Sequence, residues 1–244
     1  MTPPALSDTS SWRREWWRAS AAIAAIGAFV AWCRVAPAAV HMACHEDGVI
    51  ENATALLFLA ASMALASAAR PGSAAIRCGV ARAWTIVAAL VCAVFAGEEI
   101  SWGQRLFGFL TPPGITEVNE QDEINLHNLR GVQPLKYSLL VGSIAATIVL
   151  CLSIRVLPAL GRCSARLGLP VPPLADLAWF GGSLLFLRHV ANWLVLERRN
   201  DAQEIGELLF AGALLAVALR VWRAPASLFP FGATPSPRDG AVAG

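Results

Sequence analysis

The sequence predicts an all-α, polytopic transmembrane helical bundle of about six spans, with a short helix in an outer loop. Composition is the first reason: 56% of the 244 residues are hydrophobic and only 15% are charged, against about 25% charged in an ordinary soluble domain. Mean hydropathy is +0.55. The second reason is that the apolar residues come in separated runs of near-spanning length, and a helix needs about 20 residues to cross the hydrocarbon layer. The third is that the net charge of +2 hides a segregation of charge along the chain. No basic run of the kind used on nucleic acids occurs, so a nucleic-acid partner is excluded.

Residues 1–18 form a basic, aromatic flank in which Arg13, Arg14 and Arg18 interleave with Trp12, Trp16 and Trp17, a composition suited to the membrane interface. Residues 19–223 are expected to hold the six-helix domain. Its first apolar core is Ala21–Trp32. The second, third and fourth runs are Asn52–Ala69, Ala83–Gly97 and Tyr137–Ile154, of 18, 15 and 18 uncharged residues. The third is short, so it crosses only by taking in Glu98, Glu99 and Trp102. The fifth, Leu177–Leu196, carries Arg188 and His189 near its middle. The sixth has 12 uncharged residues between Glu207 and Arg220, so a full span includes Glu207 and Glu204. Leu167–Pro173 is a proline-containing inner loop. Residues 224–244, rich in Pro, Gly, Ala and Ser, read as a disordered cytoplasmic tail.

Placing both termini in the cytoplasm of a bacterium puts 12 of the 19 Lys and Arg on that side of the inner membrane, as the positive-inside rule requires. The acids segregate the other way, 13 of 17 falling on the opposite face. Polar chemistry is therefore concentrated at the non-cytoplasmic face. The six cysteines (33, 44, 78, 92, 151, 163) show no CxxC spacing and read as small apolar packers. Cys33 and Cys44 are the pair that shares an oxidising side.

The long loop 103–136 opens with a turn signal, Thr111-Pro112-Pro113-Gly114. Beyond it, Asn119 and Asp122 are expected to cap a short helix bearing Glu123 and His127. Four acid or imidazole pairs stand at helical spacing near this face: Asp47/Glu51, Glu98/Glu99, Glu123/His127 and Glu204/Glu207. Residues three or four apart share a helix face, and inward carboxylates and imidazoles are how bundles build metal sites. Glu51, Glu99, Glu123, His127 and Glu207 are accordingly the candidate ligands of a divalent metal ion. Glu98, Glu99, His127, Arg188 and His189 are the candidate catalytic groups.

Plainer readings stand beside these. Asp201-Ala-Gln-Glu204 fits a capping box with Asp as the cap. His41 and His45 fit an exposed outer loop, and Trp102 fits an interfacial belt as well as a substrate platform. Arg188 needs an anion at its depth, for which Glu98 or Glu99 is the obvious partner, and such a pair also serves merely to lock helices. A charge within the hydrocarbon costs about 2.5 kcal/mol or more on insertion scales, which makes Glu98 and Glu99 the hardest acids to dismiss.

Across Glu98–Gln104 (EEISWGQ) and Asn119–Asn128 (N-x-Q-x-E-x-x-LHN), with a further similar stretch at His45–Glu51, the chain resembles an uncharacterised group of small bacterial integral membrane proteins. The resemblance implies a multi-pass membrane protein and brings no activity with it. Alkaline-ceramidase-like membrane hydrolases place several His and an acid around zinc, but the late paired-His motif is missing, His189 standing alone. Three functions fit the residues: a metal-dependent enzyme acting on a lipid or lipid-linked substrate, an ion- or proton-coupled transporter, and a non-catalytic assembly or scaffold protein. Membrane lipid is the expected partner.

Overall fold

The computed structural model describes residues 9–45, 48–71, 73, 76, 79–119, 122–126, 129–167, 169–187, 199–223 and 228. Asp47, His127, Arg188, His189, Asn192, Cys78 and nearly all of the expected tail lie outside them. Ten α-helices are present among the described residues: α1 Thr9–Val35, α2 Pro37–Ala43, α3 Val49–Ala69, α4 Gly79–Glu99, α5 Gln104–Phe107, α6 Pro113–Thr116, α7 Gln133–Val156, α8 Pro158–Leu167, α9 Leu174–Leu185 and α10 Arg199–Arg223.

Five of these, α1, α3, α4, α7 and α10, are long and apolar enough to cross a membrane, and α9 is a shorter apolar helix. The protein is an integral membrane protein by this measure, and no strand occurs among the described residues. The third span does reach past its apolar run, α4 ending at Glu99, and α10 takes in Glu204 and Glu207.

The bundle is built in a chain of neighbours: α1 packs on α9, α9 on α7 and α10, α10 on α3, and α3 on α4. Lipid chains are as apolar as leucine, so helices in a bilayer associate where small side chains let backbones approach. The core between α3, α4 and α10 shows this directly, with Ala61, Ala64, Ala68, Ala89 and Ala218 buried together. Gly206 sits where a Cβ would lie 2.6 Å from Leu187, and Gly182 where one would lie 2.6 Å from Ile26. These two glycines set the α9–α10 and α1–α9 crossings. Ser183 donates to the Gly206 carbonyl at 2.7 Å and Ser62 to the Ala89 carbonyl at 2.9 Å, interhelical bonds worth roughly 0.6 kcal/mol each in a membrane.

One pairing is missing from this scheme. α4 and α7 each meet α10 through side chains but make little close contact with each other, and between them runs an apolar cleft of about 700 Å³.

The expected loop helix over Asn119–Leu129 is not formed. Residues 122–126 are non-helical, and Asn119 instead pairs with Leu129 in an isolated antiparallel bridge. The cause is local: the Asn119 side chain accepts from the Glu123 amide at 3.3 Å and donates to the Asn125 carbonyl at 3.1 Å. An Asn side chain bonded to nearby backbone in this way offers an alternative to the helical ladder. The loop's short helices are α5 and α6, the latter begun by Pro113 at its first position. Cys33 and Cys44, the pair placed on an oxidising side, are both free thiols in one buried cluster and are not joined by a disulfide.

Candidate functional site

The EEISWGQ segment divides by direction. Glu98 turns toward the loop: its Oε1 accepts from the Trp102 indole at 2.7 Å and its Oε2 from the Leu126 amide at 2.7 Å. Ser101, Trp102 and Gly103 have φ of 47°, 55° and 80°, a left-handed turn that costs about 1–2 kcal/mol at each non-glycine residue. The surrounding bonds offset it. Ser101 donates to Glu123 Oε2 at 2.6 Å, and Asn125 donates to Ser101 Oγ at 3.1 Å and to Glu123 Oε2 at 2.6 Å. Gln104 accepts from the Ile124 amide at 2.6 Å and donates to Thr111 at 2.7 Å, while Thr111 bonds the Asp122 carbonyl. Gly97 leaves room for the Trp102 ring, which a Cβ would meet at 2.9 Å. Nearly every polar residue of the motif is thus occupied in folding the loop back over the end of α4.

Glu99 is the exception. It turns into the bundle, within hydrogen-bonding reach of Glu207 and close to Lys136 and Glu204. Lys136 Nζ stands 3.0 Å from Glu207 Oε1, tying the start of α7 to α10. Glu51, at the start of α3, lies near Glu204, and Glu204 Oε2 is buried with no hydrogen-bond partner. Three carboxyl groups therefore surround one ammonium among the described residues. Two carboxyl groups hydrogen-bond only when one of them carries a proton. Glu99 with Glu207 is thus a ready-made acid and base.

This cluster stands on an aromatic floor. Phe58, Phe95 and Phe210 meet with ring centroids 5.2 to 6.4 Å apart, and Phe95 and Phe210 are one helical turn from Glu98/Glu99 and from Glu207. Phe95 and Lys136 line both the long cleft and a smaller cavity of about 240 Å³ that also exposes Glu98, Glu99 and Leu126. Lys136 and, through the smaller cavity, Glu99 are thereby continuous with the cleft.

The candidate residues fall into distinct groups. Glu99 and Glu207 come together with Glu204, and Glu51 stands at the edge of the same group. Glu98 and Glu123 are loop-holding groups. Asp201 is not a helix cap but lies within α10, both carboxylate oxygens 3.2 Å from His41 Nδ1. That pairing fastens α2 to α10 and leaves His41 half-buried rather than exposed. Beside it the Cys44 thiol is pushed up to about 12, first by burial and then by the Asp201 and Glu204 carboxylates. Trp102 is half-exposed. Among the described residues no three of His, Cys, Asp and Glu are grouped so as to hold a metal ion.

Sequence reasoning missed Lys136. Its signal was present, a lone lysine at the start of an apolar run, two residues after a proline. Comparison with protein-family models, curated proteins and solved structures found no match.

Proposed function

We propose that this integral membrane protein is an enzyme acting on a lipid or lipid-linked substrate at the non-cytoplasmic face of a bacterial inner membrane, both termini being cytoplasmic. The observation that carries it is the continuity between an apolar cleft open along α4 and α7 and a polar end where Lys136 and Glu99 line the cleft or its adjoining cavity, with Glu204 and Glu207 beside them. Sites for small molecules are typically apolar concavities of about 300–1,000 Å³ with a few convergent polar groups. Here the polar groups supply a proton donor and acceptor in one dry place, the requirement for general acid–base catalysis. The orientation is supported by the arginines, which gather at the opposite end of the bundle.

The metal-dependent form of this reading needs ligands beyond the described residues, and His127 is the candidate ligand that lies outside them. A transporter reading is less well supported: below the cluster the cleft is lined by apolar side chains apart from Thr85 and Ser143, so no ionisable relay runs through it among the described residues. The scaffold reading draws on the Lys136–Glu207 tie between α7 and α10.

The test is incubation of detergent-purified protein with a total bacterial lipid extract, with and without EDTA, followed by mass spectrometry of the lipids. Conversion of one lipid class by the parent, lost in Glu99→Gln and Glu207→Gln variants that elute like the parent, is the expected result. Loss with EDTA assigns a metal. No conversion by the parent in either condition sinks the enzyme.

A further inference from the structure

The cleft has a length and a direction. Along α4 it runs from Ala81 to Phe95, 14 residues or about 21 Å at 1.5 Å per residue, inside a hydrocarbon layer about 30 Å thick. Its floor is α10, from Phe210 to Val221, and Leu169 and Pro170 close its far end. Because α4 and α7, two spanning helices, make little close contact with each other, the opening between them faces sideways into the bilayer. Trp84, Val91 and Leu139 stand exposed along it. This is a slot for a hydrocarbon chain that enters from the membrane, not for a solute that enters from water.

Among the described lining residues only one end of the slot is charged, and its balance is unequal. Lys136 is the single cation there among the described residues and is already paired with Glu207. Glu99 and Glu204 remain beside it, and Glu204 Oε2 is buried with no hydrogen-bond partner. An anionic headgroup placed at this end would bring negative charge beside three carboxyl groups, whereas an ammonium supplies the counter-charge that lets the protonated member of the Glu99/Glu207 pair ionise, and N–H donors to carboxylate acceptors.

We propose that the cleft binds one chain of an amine-bearing membrane lipid, with its ammonium at Glu99, Glu204 and Glu207 and its chain running toward Pro170. This rests on the reading of the cleft as a lipid site and adds the class of lipid. Membrane-depth charges otherwise carry a cost that a helix lock alone would meet with one acid for one base.

The experiment reconstitutes the full chain in bilayers of equal parts phosphatidylethanolamine and phosphatidylglycerol with matched chains, re-extracts it in detergent, and quantifies retained lipid by mass spectrometry. The parent is expected to keep phosphatidylethanolamine over phosphatidylglycerol by about tenfold, the value of one charge-assisted hydrogen bond. Ala88→Trp and Ser143→Trp fill the slot from opposite walls at exposed positions. Each is expected to lower total retained lipid by about tenfold, and either one alone serves if the other fails to fold. A Glu204→Gln, Glu207→Gln double variant is expected to retain lipid with the preference gone. Retention by the parent in the ratio supplied, with the tryptophan variants still losing lipid, overturns the amine assignment and leaves the lipid cleft standing. Retention undiminished in both tryptophan variants overturns the cleft and the assignment together.

Discussion

The two ends of the bundle handle buried charge in opposite ways. At the end where α1 begins, Asp176 on α9 receives Arg220 Nε at 2.8 Å and Nη2 at 3.2 Å. Arg155 on α7 reaches Glu15 at 3.4 Å and the Pro172 carbonyl at 2.5 Å. Asp176 and Glu15 each have an arginine partner of their own, and each pair joins two helices. At the end where α4 stops, three glutamates crowd one lysine. A structural lock needs one partner for each charge and gains nothing from a surplus. The excess of carboxyl groups at one end is therefore what distinguishes a site from a fastening.

Substitutions can break that contrast. The largest effect is expected from Lys136→Met. It removes the one described cation from a group of three carboxyls and leaves Glu207, whose side chain is only 8% exposed, without its counter-charge. Loss of one partner of a buried pair costs about 3 kcal/mol or more, which in a chain of this size lowers Tm by roughly 6–12 °C. Thermal unfolding in detergent measures it, and a shift below 2 °C, on the order of half a kcal/mol, would show the cluster to be solvated rather than buried.

Asp176→Asn should cost less, about 2 kcal/mol, because the amide still accepts one hydrogen bond and Arg220 is 32% exposed and keeps some solvation. The matching control is Asp176→Asn with Arg220→Met, which removes both charges. If the end is a lock, the double variant recovers most of the loss; if it is not, the two losses simply add.

The sequence made the spans and the two-faced charge pattern legible because apolar length and charge segregation are local properties of the chain. It also marked Glu99 and Glu207, since acids that a span must include to reach the far side stand out on inspection. It could not divide Glu98 from Glu99. Adjacent helical residues point about 100° apart, and only the fold of the loop shows that one faces Trp102 and the other faces α10. The Glu123 environment was misread for a related reason: Asn119 looked like a helix cap, and its side chain instead closes a non-helical turn on Asn125. Lys136 was passed over because a lysine at a helix start is ordinary until its neighbours across the bundle are known.

The division between Glu98 and Glu99 is sharpened by Gly97→Ala. The added methyl meets the Trp102 ring, which is half-exposed and can swing outward at a cost of about 1 kcal/mol, the low end for overpacking. Swinging breaks the indole bond to Glu98 and leaves the Glu99 cluster in place. The expected outcome is a larger solvent-accessible tryptophan fraction in acrylamide quenching with lipid retention unchanged. Loss of lipid retention as well would mean that the loop and the cluster are one unit.

The smallest effect belongs to Glu204→Gln. Asp176, Asp201 and Glu207 each have a basic partner whose loss must be compensated, but Glu204 Oε2 is buried with no hydrogen-bond partner and its surroundings are dominated by burial and by Glu207, with Glu51 next. Replacing it with an amide keeps the volume and the carbonyl acceptor, and adds an N–H donor facing carboxylates. Stability should hold within about 0.5 kcal/mol or rise slightly, read as an unchanged or higher Tm. A residue that the fold is better off without, yet that stands beside an acid–base pair at the end of a lipid-wide cleft, is most simply explained by what it does for a ligand. A fall of several degrees would reverse that inference and return Glu204 to the framework.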